Sequence, residues 1–423
     1  MSPRELLLGS FHAAVAAADP LRIVPAHLPE PPRGRTLVVG AGKAAAAMAL
    51  AVEQHWPAQA PLDGLVITRY QHGLLTNRIA VIEAGHPVPD EAGEKAAADI
   101  LRRAKALGRD DLLLALVSGG GSSLLSLPVP EIPMADLKTT TQALLRSGAP
   151  IQHMNTVRKH LSLIQGGRLA ASTKARVVAL IISDVTGDDP THIASGPCAP
   201  DPTTYQDALD ILAAYGVQAP RTVTDHLARG ARGEVAETPK PGDKLFERVE
   251  NRVIATAHRS LVAAADFFSE HGMQAAILGD SVTGEAREVA KVYAALAREV
   301  RQHGTPWQAP VALISGGECT VTVRGEGRGG RCAEFLLALA IELERADGIH
   351  ALACDTDGID GSEDNAGAVL SPGSVARAAK QGIAAERLLA DNDGYTFFQA
   401  LDALVVTGPT RTNVNDYRVI LVA

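Results

Sequence analysis

Residues 37–45 read LVVGAGKAA, which sets two glycines and a lysine directly after an apolar run. Gly40 and Gly42 allow the backbone to turn tightly off a strand. A helix opening there offers unpaired N–H groups and the positive end of its dipole, and Lys43 adds a full cation. The combination suits a phosphate or a carboxylate. It lacks the GxxxxGK[ST] spacing of a P-loop, but Gly40, Gly42 and Ala45 satisfy GxGxxA. A dinucleotide site and a plain structural turn therefore stay open beside the anion site. A dinucleotide site wants an acid at the end of the next strand, yet that strand ends in Thr68-Arg69 and the nearest acid, Asp63, precedes it.

Two further turns echo each other. LLLALVSGGGSS at 112–123 and PVALISGGECT at 310–320 each run from an apolar strand into Ser-Gly-Gly. Ligands of α/β folds gather at the carboxyl ends of strands. Ser118, Gly119, Gly120, Gly121 and Ser122 in the first turn, and Gly316, Gly317 and Glu318 in the second, are candidate phosphate contacts that could face each other across a cleft.

Acids crowd at other strand ends. Asp184, then Asp188 and Asp189, follow the run 176–182; Asp355 and Asp357, then Asp360, Glu363 and Asp364, follow 350–354. Crowded carboxylates repel unless a cation or proton intervenes. Magnesium held by one or two carboxylates and by substrate phosphates fits, with Asp355, Asp357 and Asp189 as candidate ligands. A calcium loop does not, because counting from Asp355 puts Asp360 where an EF-hand needs glycine and Ala366 where it needs glutamate. Turns in which Asp caps its own backbone are the alternative. Cations that could meet phosphate oxygens are Arg158, Arg328 and Arg331, each near a helix start, and Asn413 precedes the final strand. His86 and His192 lie in loops beside or near prolines and read as structural or solvated.

The elements that position these groups alternate. Strands are expected at 36–39, 65–67, 79–82, 112–117 and 176–182, then at 252–255, 275–278, 311–315, 319–323, 350–354, 404–406 and 418–422. Helices are expected from Lys43, at 91–107, 135–147, 155–165, 260–271, 284–303, 331–346, 374–381 and 394–402. Continuous apolar strands separated by helices mark a parallel sheet covered on both faces. At 219–250 prolines, glycines and charges replace apolar periodicity, which predicts a junction or surface excursion; length suggests two or three domains, and a division at this stretch would give 1–240 and 241–423. The final strand could return to the first.

With 423 residues, 46% apolar and only 4% aromatic, the chain can bury two cores filled mainly by Ala, Leu and Val. A net charge of −8 and the lack of basic runs argue against nucleic acid as a partner. Cys198, Cys319, Cys332 and Cys354 form no CxxC pair and read as free thiols of a reducing, cytoplasmic compartment. No apolar run reaches membrane-spanning length, and residues 6–18 read as an amphipathic helix ending near Asp19-Pro20 rather than a signal peptide.

Taken in order, LVVGAGKAA, AGHPVPD, LVSGGGSSLL, NTVRKHLSLIQGGRLA, IISDVTGDDPTHIASGP followed by DPTTY, LISGGE, GRGGR, DTDGIDG and TGPTRTNVND resemble the glycerate 2-kinase family, whose C-terminal half is called the MOFRL domain. Some relatives carry the label hydroxypyruvate reductase. The resemblance implies a Rossmann-like first domain, a second α/β domain and an active site in the cleft between them. It implies transfer of the ATP γ-phosphoryl group to the 2-hydroxyl of D-glycerate, with Lys43 and one arginine of GRGGR, Arg328 or Arg331, functional. On that reading glycerate sits by Lys43, the Ser118–Ser122 turn cradles phosphate, Mg2+ lies near Asp355 and Asp357, and Asp184 or a neighbouring acid takes the hydroxyl proton. The chain departs from the family where Cys332 and Ala333 replace Asn-Gln and where Arg411 replaces a small residue. A nicotinamide-dependent reductase and a non-catalytic sugar-acid binder remain the rivals, and a homodimer is left open.

Overall fold

The computed structural model describes every residue except Arg345, which falls inside the helix expected over 331–346 and lies outside the described residues. The chain forms two compact α/β units, one of Pro20–Ile254 and one of Ala255–Ala423 with Met1–Asp19. The expected division was 1–240 and 241–423. The strand expected at 252–255 joins the first sheet, and the amino-terminal helix belongs with the second unit.

In the first unit the strands are β1 (Thr36–Ala41), β2 (Leu62–Arg69), β3 (Ile79–Ala84), β4 (Leu112–Val117), β5 (Arg176–Ile182) and β6 (Val249–Ala255). Their order is β3-β2-β1-β4-β5-β6, and β1 runs parallel to β2 and to β4. Every residue of β1 and β4 is buried, which is why these strands read as unbroken apolar runs. On one face Leu37, Val39 and Leu113 pack against Ala97, Ile100 and Ala104 of the helix Glu91–Lys105. That helix starts where Asp90 caps the Gly93 N–H and ends on Arg102, Arg103 and Lys105, charges placed with its dipole. The helix Ala45–His55 packs against β1 to β4 from the other side.

The stretch 219–250 is not a plain excursion. It contains the helix Arg221–Ala231, which buries Val223, His226, Leu227 and Gly230, spacings of three, four and seven that the surrounding prolines and charges mask. With Tyr205–Ala214, another helix the sequence pattern did not announce, it packs on Met134–Arg146 and Ile151–His160. The last of these stops at His160, short of the expected 165, and Gly166 and Gly167 follow at φ 59 and 78.

Buried charge ties this helical layer together. Lys159 Nζ lies 2.7 Å from Asp201 Oδ1, both side chains essentially inaccessible, and His160 Nε2 lies 3.3 Å from Glu237 Oε2. Burial alone would raise the Glu237 carboxyl, but hydrogen bonds from His160, the Tyr205 N–H and Lys240 outweigh it and pull it from 4.5 to about 2. A folded-state value below the unfolded one means stability present above pH ~4.5 and lost as pH falls toward about 2. Glu237→Gln should therefore melt below the wild type at neutral pH, and the gap should close as pH drops through this window. A gap constant across pH would contradict the assignment.

In the second unit β7 (Gln274–Gly279), β8 (Val311–Ser315), β9 (Ile349–Asp355), β10 (Gly367–Leu370), β11 (Leu404–Val405) and β12 (Asp416–Val422) form a mixed sheet in the order β11-β10-β9-β12-β8-β7. β12 lies antiparallel between β9 and β8, so the final strand does not return to the first unit. The strand expected at 319–323 does not form. Thr320 makes a single bridge to Glu285, whose carboxylate then takes the Thr322 N–H at 2.9 Å and ends the ladder. β10, only four residues long, was not expected. One sheet face packs on Leu7, Phe11 and Ala14 of the helix Pro3–Ala16 and on Leu261 and Phe268 of Ala257–Glu270. The other packs on the helices Ala286–His303 and Arg331–Glu342. No single helix among the described residues is long and apolar enough to cross a membrane.

Candidate functional site

The order of the first sheet reverses between β1 and β4, and open α/β sheets bind ligands at the carboxyl ends of strands flanking such a point. Gly42–Lys43 leaves β1 there, and the Ser118–Ser122 turn leaves β4 beside it. The two turns are knitted together: the Lys43 N–H donates to the Gly119 carbonyl at 2.8 Å, and the Ala44 N–H donates to Ser118 Oγ at 3.1 Å. Gly42 has φ +139, and a Cβ on it would stand 2.1 Å from Ser118 Oγ and 2.5 Å from the Ser118 carbonyl, so no side chain fits. Gly120, at φ +79, brings two more groups into contact; a Cβ there would lie 2.8 Å from His86 Nε2 and 3.5 Å from Lys43 Cγ. The stem of Lys43 and the ring of His86, two residues beyond β3, thus lie against the same glycine. Gly40, inside β1, has its own reason: a Cβ would meet the Leu116 carbonyl at 2.2 Å.

Behind this turn Ala194, Ser195 and Gly196 hold consecutive left-handed conformations at φ 50, 57 and 58. Two of them carry side chains, so the segment stores backbone strain. The turn aims Ser195 Oγ at Ser122 Oγ, 2.9 Å away, and at Asn155 Oδ1, 3.1 Å away, an oxygen that also accepts from Arg158 Nη1 at 3.3 Å. Among the described residues Arg158 makes no ion pair, and burial pushes its guanidinium down to about 10. Asp184 stands two residues past β5. Asp189 accepts the Thr191 N–H at 2.8 Å, a turn of the self-capping kind.

The second unit gathers its charges at the ends of β8, β9 and β12. Arg331 opens the helix Arg331–Glu342 and meets three carboxylates: Glu318 at 2.8 Å, Asp355 at 2.7 Å and Asp416 at 2.8 Å. Asp355 and Asp416 are register partners across β9 and β12. Burial works against the Arg331 charge, but the three carboxylates outweigh it and hold its pKa above the ordinary arginine value. Asp416 also takes Arg418 at 2.7 Å, and the Arg418 guanidinium donates to the carbonyls of Gly316 and Gly317 at 3.1 and 3.3 Å. The second glycine turn therefore turns carbonyls toward a buried cation, unlike the first, and Glu318 acts as an arginine partner. Gly317 is at φ +102, where a Cβ would reach the Val282 nitrogen at 2.3 Å.

Asp360 sets the start of that helix. Its oxygens accept the N–H groups of Cys332 at 3.0 Å and Ala333 at 2.8 Å, so it supplies the cap that Gly330 cannot. Burial raises its carboxyl to about 6 despite those two bonds. Asp355 accepts the Asp357 N–H at 3.0 Å, Asp357 accepts the Ile359 N–H at 2.9 Å, and Asn413 accepts the Asn415 N–H at 3.2 Å. Arg328 differs from Arg331: half-exposed, it lies over the Tyr395 ring at 4.7 Å with Glu363 at 3.7 Å.

The first unit thus brings Gly42, Lys43, Ser118–Ser122 and Arg158 into one neighbourhood. The second brings Arg331, Glu318, Asp355, Gly316 and Gly317 into another. Among the described residues no three His, Cys, Asp or Glu side chains group as a metal cage. Asn155 and Ser195 in the first unit, and Asp416 and Arg418 in the second, were not singled out from sequence, and His86 was read there as structural or solvated. The position of His86 just past a strand end was the available signal for it. The two departures after GRGGR do not open onto a site, since Cys332 and Ala333 are buried in the core and Glu334 pairs with Arg287 at 2.7 Å.

The first unit is an α/β sheet with a lysine and a glycine turn at its switch point, and the second crowds guanidinium groups and carboxylates at its strand ends. Residues 6–228 match the family model described as Domain of unknown function (DUF4147), and residues 311–416 match the MOFRL family. A glycerate 2-kinase from Pyrococcus horikoshii is 38% identical over 100% of this chain and 98% of its own. A D-glycerate 2-kinase from Thermotoga maritima is 39% identical over 98% and 97%. A protein of Agrobacterium vitis named putative hydroxypyruvate reductase is 51% identical over 100% and 95%. A crystal structure of glycerate kinase from Thermotoga maritima matches with a TM-score of 0.88 at 37% identity, covering 99% of both chains. The chain belongs to the MOFRL glycerate 2-kinase family.

Proposed function

We propose that this protein transfers the γ-phosphoryl group of ATP to the 2-hydroxyl of D-glycerate, giving 2-phosphoglycerate. The observation that carries the reading is the placement of Lys43 at the β1/β4 switch point, fixed by a turn too tight for any side chain at Gly42. Phosphoryl transfer asks the protein mainly for positioning and charge, and a lysine, an arginine and carboxylates suffice. Lys43 and the Ser118–Ser122 turn grip anionic oxygens. Arg328, accessible beside its aromatic ring, offsets charge building on the transferring group, while Arg331 holds the carboxylates in place. Asp184 or a neighbouring acid takes the hydroxyl proton.

Magnesium on nucleotide phosphates takes only one or two protein carboxylates. Asp355 and Asp357 fit that sparse set, and the surrounding cluster, in which Arg331 and Arg418 face Glu318, Asp355 and Asp416, leaves an excess of negative charge. Bound there, the ion would neutralise phosphate charge. We place the enzyme in the cytoplasm, where ATP is at hand and its four buried thiols stay reduced.

The reductase name borne by the Agrobacterium vitis relatives makes a distinguishable claim. A dinucleotide site wants an acid at the end of β2, and β2 ends in Thr68-Arg69. Purified protein should release ADP from Mg-ATP only when D-glycerate is present, and should leave NADH unoxidised with hydroxypyruvate. NADH oxidation without ADP release would reverse the assignment.

A further inference from the structure

Beside the Ser118–Ser122 turn lies a recess walled by Pro87, Ser122, Leu137, Lys138, Thr141 and Arg158. Its polar wall is rigid: Gln165 Nε2 is tied to the Ser122 and Leu125 carbonyls at 2.8 and 3.2 Å, and Ser162 Oγ accepts the Gln165 N–H at 3.1 Å. Arg158 enters with a hydrogen bond to Asn155, and among the described residues no carboxylate lines the recess. A desolvated guanidinium with no counter-charge is costly and is kept where a ligand supplies the missing anion. Lys138 stands on the same wall with Asp90 as its charged neighbour, and Asp90 is already bonded to the Tyr70 hydroxyl and the Gly93 N–H.

We propose that this recess is the carboxylate subsite for the acceptor: Arg158 takes the carboxylate of a short 2-hydroxy acid through its paired N–H groups, and Lys138 adds long-range attraction. One partly buried guanidinium matches one carboxylate charge, whereas a phosphate would bring nearly two. The 2-hydroxyl, one carbon from the carboxylate, then falls on the Ser122 side, where Gly120, His86 and Lys43 meet. Lys43 is left for phosphoryl oxygens. The assignment rests on the kinase reading for the identity of the acid but not for the carboxylate itself.

The test compares wild type, Arg158→Gln and Lys138→Glu in steady-state kinetics and in calorimetry with D-glycerate, lactate, hydroxypyruvate, glycerol and inorganic phosphate. Arg158→Gln should raise KM for glycerate by about 100-fold while KM for ATP stays within about twofold. Lys138→Glu, a partly exposed change that preserves folding if Arg158→Gln does not, should raise it roughly tenfold. Wild type should bind glycerate in preference to glycerol, which lacks the carboxylate, and phosphate should not displace it. Unchanged glycerate KM in both variants, equal losses for ATP and glycerate, or displacement by phosphate would overturn the subsite. If ADP forms with glycerate while both variants behave normally, the kinase reading stands and the subsite falls. If no ADP forms but glycerate, lactate or hydroxypyruvate binds in an Arg158-dependent way, the subsite stands and the kinase reading falls. No binding of any of these acids also overturns the subsite.

Discussion

Lys43→Ala should lower kcat/KM by at least ~10²-fold, about 2.7 kcal/mol of transition-state stabilisation, with the fold intact. The fold survives because the bond that closes the turn belongs to the backbone: the Lys43 N–H, not its ammonium, donates to the Gly119 carbonyl. Alanine keeps that bond and suits the start of the helix Ala45–His55. What it removes is the ammonium group, whose aliphatic stem lies against Gly120. Lys43→Arg should restore little, since a planar fork does not reproduce a compact point charge. Steady-state kinetics alongside circular dichroism would check both. Turnover within a few-fold of wild type in a folded Lys43→Ala protein would remove this lysine from the site.

The second large effect falls on stability. Arg331→Ala strands Asp355 and Asp416, whose side chains are 6% and 0% exposed, without their shared cation. Breaking a buried ion pair from one side costs about 3–5 kcal/mol, because the remaining charges stay desolvated. Arg418 still faces Asp416, which places the loss toward the lower end. Arg328→Ala should cost less than ~1 kcal/mol, because its partner is 3.7 Å away and its side chain is half in water. Both variants should lose activity, but only Arg331→Ala should unfold the second unit at lower denaturant, as read by hydrogen exchange in β9 and β12. Equal stability of the two would contradict the clamp.

Much of the architecture was readable because apolar runs such as 112–117 and 176–182 are buried on both faces and show no alternation to confuse. The glycine turn after β1 was readable because a lysine set between a strand and a helix start places its charge where backbone N–H groups already favour an anion. The misses share a different cause. The helix Arg221–Ala231 keeps its apolar spacing, but prolines and charges around it carry the composition of a loop. The strand expected at 319–323 has the right residues, yet a glutamate from 285 takes the bond a ladder would need. The clamp on Arg331 depends on β9 and β12 being neighbours, a pairing between residues 355 and 416 that no local pattern announces. Ser195 meets Asn155 through a left-handed turn, a conformation that sequence does not reveal at Ala194 and Ser195.

The most direct measurement follows the phosphoryl group itself. ATP labelled in its γ-phosphoryl group is incubated with the enzyme, Mg2+ and D-glycerate, and the product ester is located by phosphorus NMR. The expected result is label on the 2-oxygen of glycerate in step with ADP release, and loss of both in Lys43→Ala. Label on the 3-oxygen, or label released only as inorganic phosphate, would contradict it.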